Sequence, residues 1–172
     1  MSRSIGTLVP AFREQVTTLL EDLALQGHAL APHDTVRSPW EQARLYRKGR
    51  ATEAILRRAG RLAKAGAPWL ADVLVGVGPQ YGDLVTHAPP GYSWHQLGEA
   101  VDCHVEVDGR AVWDAAHPGY RAYRSRALEM GLHIATHWDW PHVQHRPGVP
   151  TDYYSIAQLE RVLRERWGDS EP

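Results

Sequence analysis

The sequence predicts an α+β fold in which a small antiparallel sheet is flanked by helices. Three observations predict it. Apolar residues recur at helical spacing near both ends of the chain, residues 100–107 alternate as a half-buried strand does, and a hairpin-type Asp108-Gly109 pair follows that strand. The segments follow the order helix, strand, helix, helix, loop, strand, helix, strand, helix. We therefore expect residues 1–172 to form a single domain, with a helical insertion at about 51–76.

A helix and a strand are predicted before residue 37. Residues 11–26 form a helical stripe that Gly27 ends, and residues 28–36 alternate loosely as a strand does. The apolar positions of the stripe are 12, 16, 19, 20, 23 and 24.

Helices are predicted for most of the next forty residues. Ser38 is a good N-cap, Pro39 fits the first helical position, and Glu41 places an acid in the first turn of a helix that ends at Gly49. The Ala-, Leu- and Arg-rich residues 51–76 predict a helical segment with two breaks, near Gly60 and at Gly66-Ala67-Pro68.

The second half begins with a loop at 76–91, which is rich in Gly and Pro. In the strand at 100–107, Val101, Cys103, Val105 and Val107 alternate with polar residues. A helix at 119–130 ending at Gly131, a second strand or extended segment at 138–145 and a helix at about 153–167 complete the chain. The last helix should bury Ile156, Leu159, Val162, Leu163 and Trp167 along one side.

Composition excludes several classes of protein. A net charge of −1 does not suggest the clearly basic surface that wholesale nucleic-acid binding needs, although a local basic patch stays open. The single cysteine, Cys103, cannot form an intramolecular disulfide. No apolar run is long enough to span a bilayer, and residues 1–10 lack the apolar core of a signal peptide. We expect a monomer that is synthesised in the cytoplasm.

Histidine usage points to a metal site. Of the ten histidines, eight lie between His87 and His145, and imidazole is a common metal ligand. Catalytic zinc sites take three protein ligands and keep a position for water. Two segments offer such ligands. The first contains His95 and Asp102, the latter on the polar side of the strand, and the second contains Asp139 and, three residues later, His142.

Several residues near these segments have more than one interpretation. His133, His137 and His145 could each replace a ligand, and Asp139 could orient a ligand histidine instead of acting in catalysis. The residues Ser93, Trp94, Trp138 and Trp140 are candidate substrate-binding residues, although a hydrogen-bonding serine in a loop and tryptophans packed in the core explain them as well. Arg37 could be an ordinary surface ion-pair partner. His104 could be an outer neighbour of Asp102 or simply exposed, and Cys103 a core residue or, alternatively, a catalytic thiol.

Three motifs together resemble a known family. They are Ser93-x-His95-x-x-Gly98-x-Ala100-x-Asp102, Asp139-x-x-His142, and the segment 36–46 (VRSPWEQARLY). In this order they are similar to the zinc D-alanyl-D-alanine carboxypeptidase and L-alanyl-D-glutamate endopeptidase family. That family includes the VanX and VanY resistance peptidases and many phage endolysins, and its fold is shared with the hedgehog signalling domain. The resemblance covers about residues 10–145.

The resemblance implies a zinc peptidase that acts on peptidoglycan stem peptides. His95, Asp102 and His142 would bind Zn²⁺, Asp139 would be the catalytic carboxylate, and Arg37 would bind the developing oxyanion. The chain departs from the family in three places. It has an inserted helical hairpin between Arg50 and Gly78, Asp139 is found in the endopeptidase branch where the dipeptidases have Glu, and residues 142–144 read His-Val-Gln where relatives often have His-Phe-Glu.

These features favour a phage or prophage endolysin that reaches the cell wall after release. Two other functions stay open. A recognition module of the same fold would bind zinc without catalysis, and a cytoplasmic D-Ala-D-Ala dipeptidase would fit the expected localisation but not Asp139.

Overall fold

The computed structural model describes residues 2–168, which form six α-helices and a four-stranded antiparallel sheet, and the α+β class is thereby confirmed. The chain divides into two compact units. The first combines residues 2–36 with Leu97–Gly148, and the second combines Arg37–Gln96 with residues 149–168. The single-domain assignment stays a prediction. The elements are α1 (Pro10–Leu25), β1 (Leu30–Asp34), α2 (Pro39–Arg47), α3 (Thr52–Lys64), α4 (Pro68–Gly76), β2 (Ala100–Val107), β3 (Arg110–Val112), α5 (Pro118–Glu129), β4 (His142–Gln144) and α6 (Ile156–Trp167).

The sheet is built around β2, whose observed bounds are those that the alternation predicts. β1 pairs along its middle, β3 pairs with its C-terminal end and β4 with its N-terminal end, all antiparallel. Asp108 and Gly109 both have positive φ, of 50° and 70°, as the predicted two-residue hairpin turn requires. The turn joins β2 to β3, a strand that the sequence interpretation did not assign.

One face of this sheet packs on α1 and α5 to form the core of the first unit. Phe12, Val16, Leu19 and Leu23 of α1 are fully buried there, as the helical stripe predicts. Cys103 lies in the same core, which confirms its interpretation as a packing residue.

Two capping residues that the sequence predicts lie at helix ends, Gly27 after α1 and Ser38 before α2. After α1, the Gly27 amide donates to the Ala24 carbonyl and the His28 amide to the Leu23 carbonyl, which is the Schellman arrangement with glycine at positive φ. At α2, the Ser38 hydroxyl accepts from the Glu41 amide at 3.2 Å, and the Glu41 carboxylate accepts from the Ser38 amide at 2.7 Å. This reciprocal capping box fixes where α2 starts, directly after Arg37.

The predicted insertion forms α3 and α4, which belong to the core of the second unit. Ile55, Leu62, Leu70 and Leu74 are buried in it. The Arg47 guanidinium donates to the Leu74 and Val75 carbonyls at 3.0 Å, satisfying carbonyl groups at the end of α4.

Four local expectations were wrong. Gly60 does not break a helix but lies on the exposed side of α3, because burial of the opposite side outweighs the roughly 1 kcal/mol cost of an interior glycine. Val107 and Val162 are 41% and 46% exposed, because β2 extends beyond the core and α6 buries a narrower stripe. The strand expected at 138–145 is confined to His142–Gln144, where β2 offers a partner.

Candidate metal centre

Strand pairing brings two of the predicted ligands together. Asp102 and His142 are directly opposite each other in the β2–β4 pair, on the sheet face away from the buried Val101 and Val143. The distance between His142 Nδ1 and Asp102 Oδ1 is 2.9 Å. Such closeness follows from the register, because side chains directly opposite across a strand pair have neighbouring Cβ atoms.

His95, the third predicted ligand, lies in a short 3-10 helix, Trp94–Leu97, and is 2% exposed. Gly98 then turns the chain into β2 with a φ of +76°. A Cβ at this position would lie 3.2 Å from the Thr7 carbonyl oxygen, so both the backbone conformation and the space favour glycine.

The side chains of His95, Asp102 and His142 converge to form a group that can hold a metal ion. Each offers one ligand atom, and these atoms all lie within 4.8 Å of one another. His95 and His142 are buried and Asp102 is half-buried. Two imidazoles and one carboxylate are a donor set that zinc accepts, and three protein ligands are the number found in catalytic zinc sites, so the residues present fit the expected metal.

The electrostatics of His142 reflect its neighbours. Burial lowers the pKa of His142, but the hydrogen bond to Asp102 and the Asp102 charge raise it more, with a further contribution from the Asp139 charge. The net direction is upward from the ordinary value. A buried imidazole between acceptors therefore attracts positive charge, which a proton or a metal ion can provide.

The histidines that were alternative candidates for a metal ligand lie in other environments. His137 is exposed, and the His133 backbone pairs with that of Gln144. His145 Nδ1 lies 2.9 Å from Gln15 Oε1. Likewise His104 packs its ring on those of His33 and Trp113. Within residues 2–168, the metal-holding group consists of the three predicted ligands.

Arg37 is buried and is linked by its backbone to the His95 segment. Its amide donates to the His95 carbonyl at 3.2 Å, and its guanidinium donates to Gln42 Oε1 at 2.8 Å. Gln42 in turn donates to the Ala88 carbonyl at 2.6 Å. Two sequence blocks that the family resemblance paired, 36–46 and 93–102, are therefore in contact at Arg37 and His95. The burial of Arg37 argues against an ordinary surface ion pair.

Asp139 lies in a segment that Arg124 of α5 holds in place. The Arg124 guanidinium donates to the Asp139 carbonyl at 2.9 Å and to the Thr136 carbonyl at 3.0 Å, and it lies 4.7 Å from the centre of the Trp140 ring. In addition, the Asp139 amide donates to the Thr136 hydroxyl at 3.3 Å. Asp139 is not a member of the metal-holding group, but its charge acts on His142.

The four candidate substrate-binding residues differ in exposure. Ser93 and Trp94 are buried, and the Trp94 ring packs against Tyr153 with the ring centres 5.5 Å apart. Trp138 is 50% exposed, whereas Trp140 is half-buried and its ring lies under the Arg124 guanidinium. The packing alternative is thus favoured for Trp94, and Trp138 has the exposed ring that contact with a ligand requires.

The sequence interpretation assigned no role to three residues of this region: Gln42, Arg124 and Gln144. Strand alternation offered a signal for Gln144, which is two residues from His142 and therefore on the same face. Gln42 lies inside the motif block at 36–46, whereas Arg124 is linked to Asp139 only through the tertiary fold.

No helix within residues 2–168 is long and apolar enough to cross a membrane. No protein-family model matches the chain, and comparison with curated proteins gives no match.

Proposed function

We propose that this chain is a zinc-dependent peptidase that hydrolyses peptidoglycan stem peptides. The observation that carries the proposal is the buried convergence of His95, Asp102 and His142. When bound there, zinc would supply Lewis-acid activation of water and of the scissile carbonyl.

Residues of the chain itself would supply the remaining chemistry. Asp139 would accept the proton of the attacking water and deliver it to the leaving amine, and its electrostatic effect on His142 is consistent with a carboxylate in this neighbourhood. Arg37 would offset charge on the developing oxyanion, an interaction that is worth about 3 kcal/mol in other hydrolases. Its buried guanidinium is oriented by Gln42, so little reorganisation would be needed during the reaction.

The substrate assignment rests on the resemblance of the three motifs to wall peptidases. The bond cut would be L-Ala–D-Glu or a bond beside D-Ala, and Asp139 favours the endopeptidase branch. We further propose a phage or prophage endolysin, monomeric, that is made in the cytoplasm and acts on the wall after release.

Digestion of purified sacculi tests the proposal. Zinc-loaded protein should release new amino termini, and mass spectrometry of the muropeptides should identify the bond that is cut. Intact muropeptides after prolonged digestion would contradict the peptidase assignment. Free D-Ala-D-Ala as a parallel substrate identifies a dipeptidase, if it is cleaved while sacculi are not.

The variant Asp139→Ala separates an enzyme from a zinc-binding recognition module. In an enzyme it should retain zinc and lose turnover, because no ligand is removed. His95→Ala should lose zinc as well as turnover. The exposed Asp83, replaced by Ala, is the matched control and should behave as wild type in both measurements. Wild-type turnover by Asp139→Ala would contradict the role of this carboxylate.

A further inference from the structure

Gln144 is a buried neighbour of the metal-holding group. It lies in β4 two residues after His142, on the same face, and is 3% exposed. Its Oε1 atom is 3.0 Å from His142 Nε2. The two ring nitrogens of His142 therefore face different partners, Gln144 at Nε2 and Asp102 at Nδ1.

The orientation of the Gln144 amide is fixed by its other end. Its Nε2 atom lies 2.7 Å from the Arg146 carbonyl oxygen and 3.0 Å from that of Gly148. Carbonyl oxygens only accept, so the amide NH₂ group must point toward them and Oε1 must point toward His142. The Arg146 segment is itself anchored, since the Arg146 side chain is 2.7 Å from the Glu99 carboxylate.

This orientation determines which nitrogen of His142 carries hydrogen. Gln144 Oε1 can only accept, so the contact at 3.0 Å requires a hydrogen on Nε2. Asp102 Oδ1, at 2.9 Å from Nδ1, is also an acceptor. A neutral imidazole has one N–H and cannot serve both partners. When the hydrogen of a neutral ring is on Nε2 and bonded to Gln144, the lone pair of Nδ1 faces Asp102 Oδ1, which is also an acceptor. A cation bound by both Nδ1 and Asp102 would satisfy the two acceptors.

We propose that Gln144 is a positioning residue, which holds His142 with its hydrogen on Nε2 and presents Nδ1 to a divalent cation shared with Asp102. The inference rests on the metal-binding part of the proposed function and does not depend on peptide hydrolysis. It assigns the ligand atom of His142 and adds a residue to the site.

Zinc affinity of Gln144 variants, measured by competition with a chromophoric chelator, tests the proposal. Gln144→Leu removes the acceptor for Nε2–H and should weaken zinc binding by about 10- to 100-fold, as loss of an outer partner of a ligand histidine does in other sites. The matched control is Gln15→Leu, which removes the same kind of glutamine–histidine contact at His145 and should leave zinc affinity unchanged.

Gln144→Glu separates the two ends of the side chain. It keeps an acceptor for His142 but loses the donors to the Arg146 and Gly148 carbonyls, so its metal-free form should be destabilised as Gln144→Leu is. Zinc affinity should nevertheless return to near the wild-type value. If Gln144→Glu binds zinc as weakly as Gln144→Leu does, the effect is one of general destabilisation and the proposal is wrong.

Long-range ¹H–¹⁵N spectra of the zinc-loaded wild type give an independent readout. We expect His142 to have a protonated Nε2 and a metal-bound Nδ1. Coordination through Nε2, or a Gln144→Leu variant with wild-type affinity, would overturn the inference. A wild type that binds no zinc would overturn both proposals, whereas the expected spectra together with uncut sacculi would overturn peptide hydrolysis alone.

Discussion

Arg124 anchors the segment that carries Asp139, and its removal should loosen that segment without removing a metal ligand. Arg124→Met deletes the hydrogen bonds to the Asp139 and Thr136 carbonyls and the contact with the Trp140 ring. Hydrogen bonds from a charged group contribute about 1.5–3 kcal/mol each, and an exposed cation–π contact about 0.5–1 kcal/mol. Because the guanidinium is only partly buried, we expect a combined loss of about 2–4 kcal/mol.

Amide hydrogen exchange measures this loss of stability in the segment around Asp139. The Asp139 amide donates to the Thr136 hydroxyl, and it should exchange about 30- to 1000-fold faster if the whole loss lowers the free energy of local opening. Zinc affinity should change little, because His95, Asp102 and His142 remain. Cleavage of sacculi should fall, since a misplacement of about 1 Å can reduce turnover by about 100-fold.

Two further variants make the test specific. Arg124→Lys keeps the charge but loses the planar fork that reaches both carbonyls, so it should recover only a small part of the loss. The matched control is Arg121→Met, on an exposed position of the same helix, and it should exchange as wild type does. Unchanged exchange at Asp139 in Arg124→Met would refute the anchoring role.

Three other predictions concern His142, Gly98 and Cys103. Because the pKa of His142 is raised, protonation stabilises the metal-free protein fully below the unfolded value, and this contribution is lost as pH rises through the folded value. Zinc must displace that proton, so the increase in Tm on adding zinc should grow from about pH 6 to about pH 8. Gly98→Ala should lower the free energy of unfolding by about 1–3 kcal/mol in urea titrations, and more than Gly109→Ala, which has a similar φ but open space. Burial raises the pKa of the Cys103 thiol to about 12, so a thiol reagent should label it at the rate of unfolding; rapid labelling of the native protein would contradict this.

Much of the fold was accessible from the sequence because its signals are local. Strand alternation gave both ends of β2, and the Ser38-x-x-Glu41 pattern gave the start of α2. The break predicted at Gly60 was wrong because the cost of one interior glycine is small compared with the burial of Ile55 and Leu62 in the same helix. β3 escaped assignment since three residues are too short for a pattern, and only pairing with β2 makes them a strand.

The site was accessible to a lesser extent, for a physical reason. His95, Asp102 and His142 lie in recognisable motifs, and the structure brings these three together. Arg124 contacts the Asp139 and Thr136 carbonyls of another segment, and no residue type or spacing along the chain predicts such a contact. Strand alternation places Gln144 on the same face as His142, but its contacts with the His142 ring and with the Arg146 and Gly148 carbonyls depend on the folded structure. Sequence patterns identified groups that can hold a metal ion, but not the groups that orient them.

The apolar core also determines the geometry of this site. Val101 and Val143 are opposite each other in the β2–β4 pair and both are fully buried, while the next pair along the strands is Asp102 and His142. A slip of β4 by one residue would put Val143 on the polar face and His142 into the core. Such a slip would cost the burial of a valine, about 1.5–3 kcal/mol, and would also bury an imidazole without its partners. The same packing that stabilises the sheet therefore holds two of the proposed ligands in register, and Gln144, two residues after His142, is held in register with them.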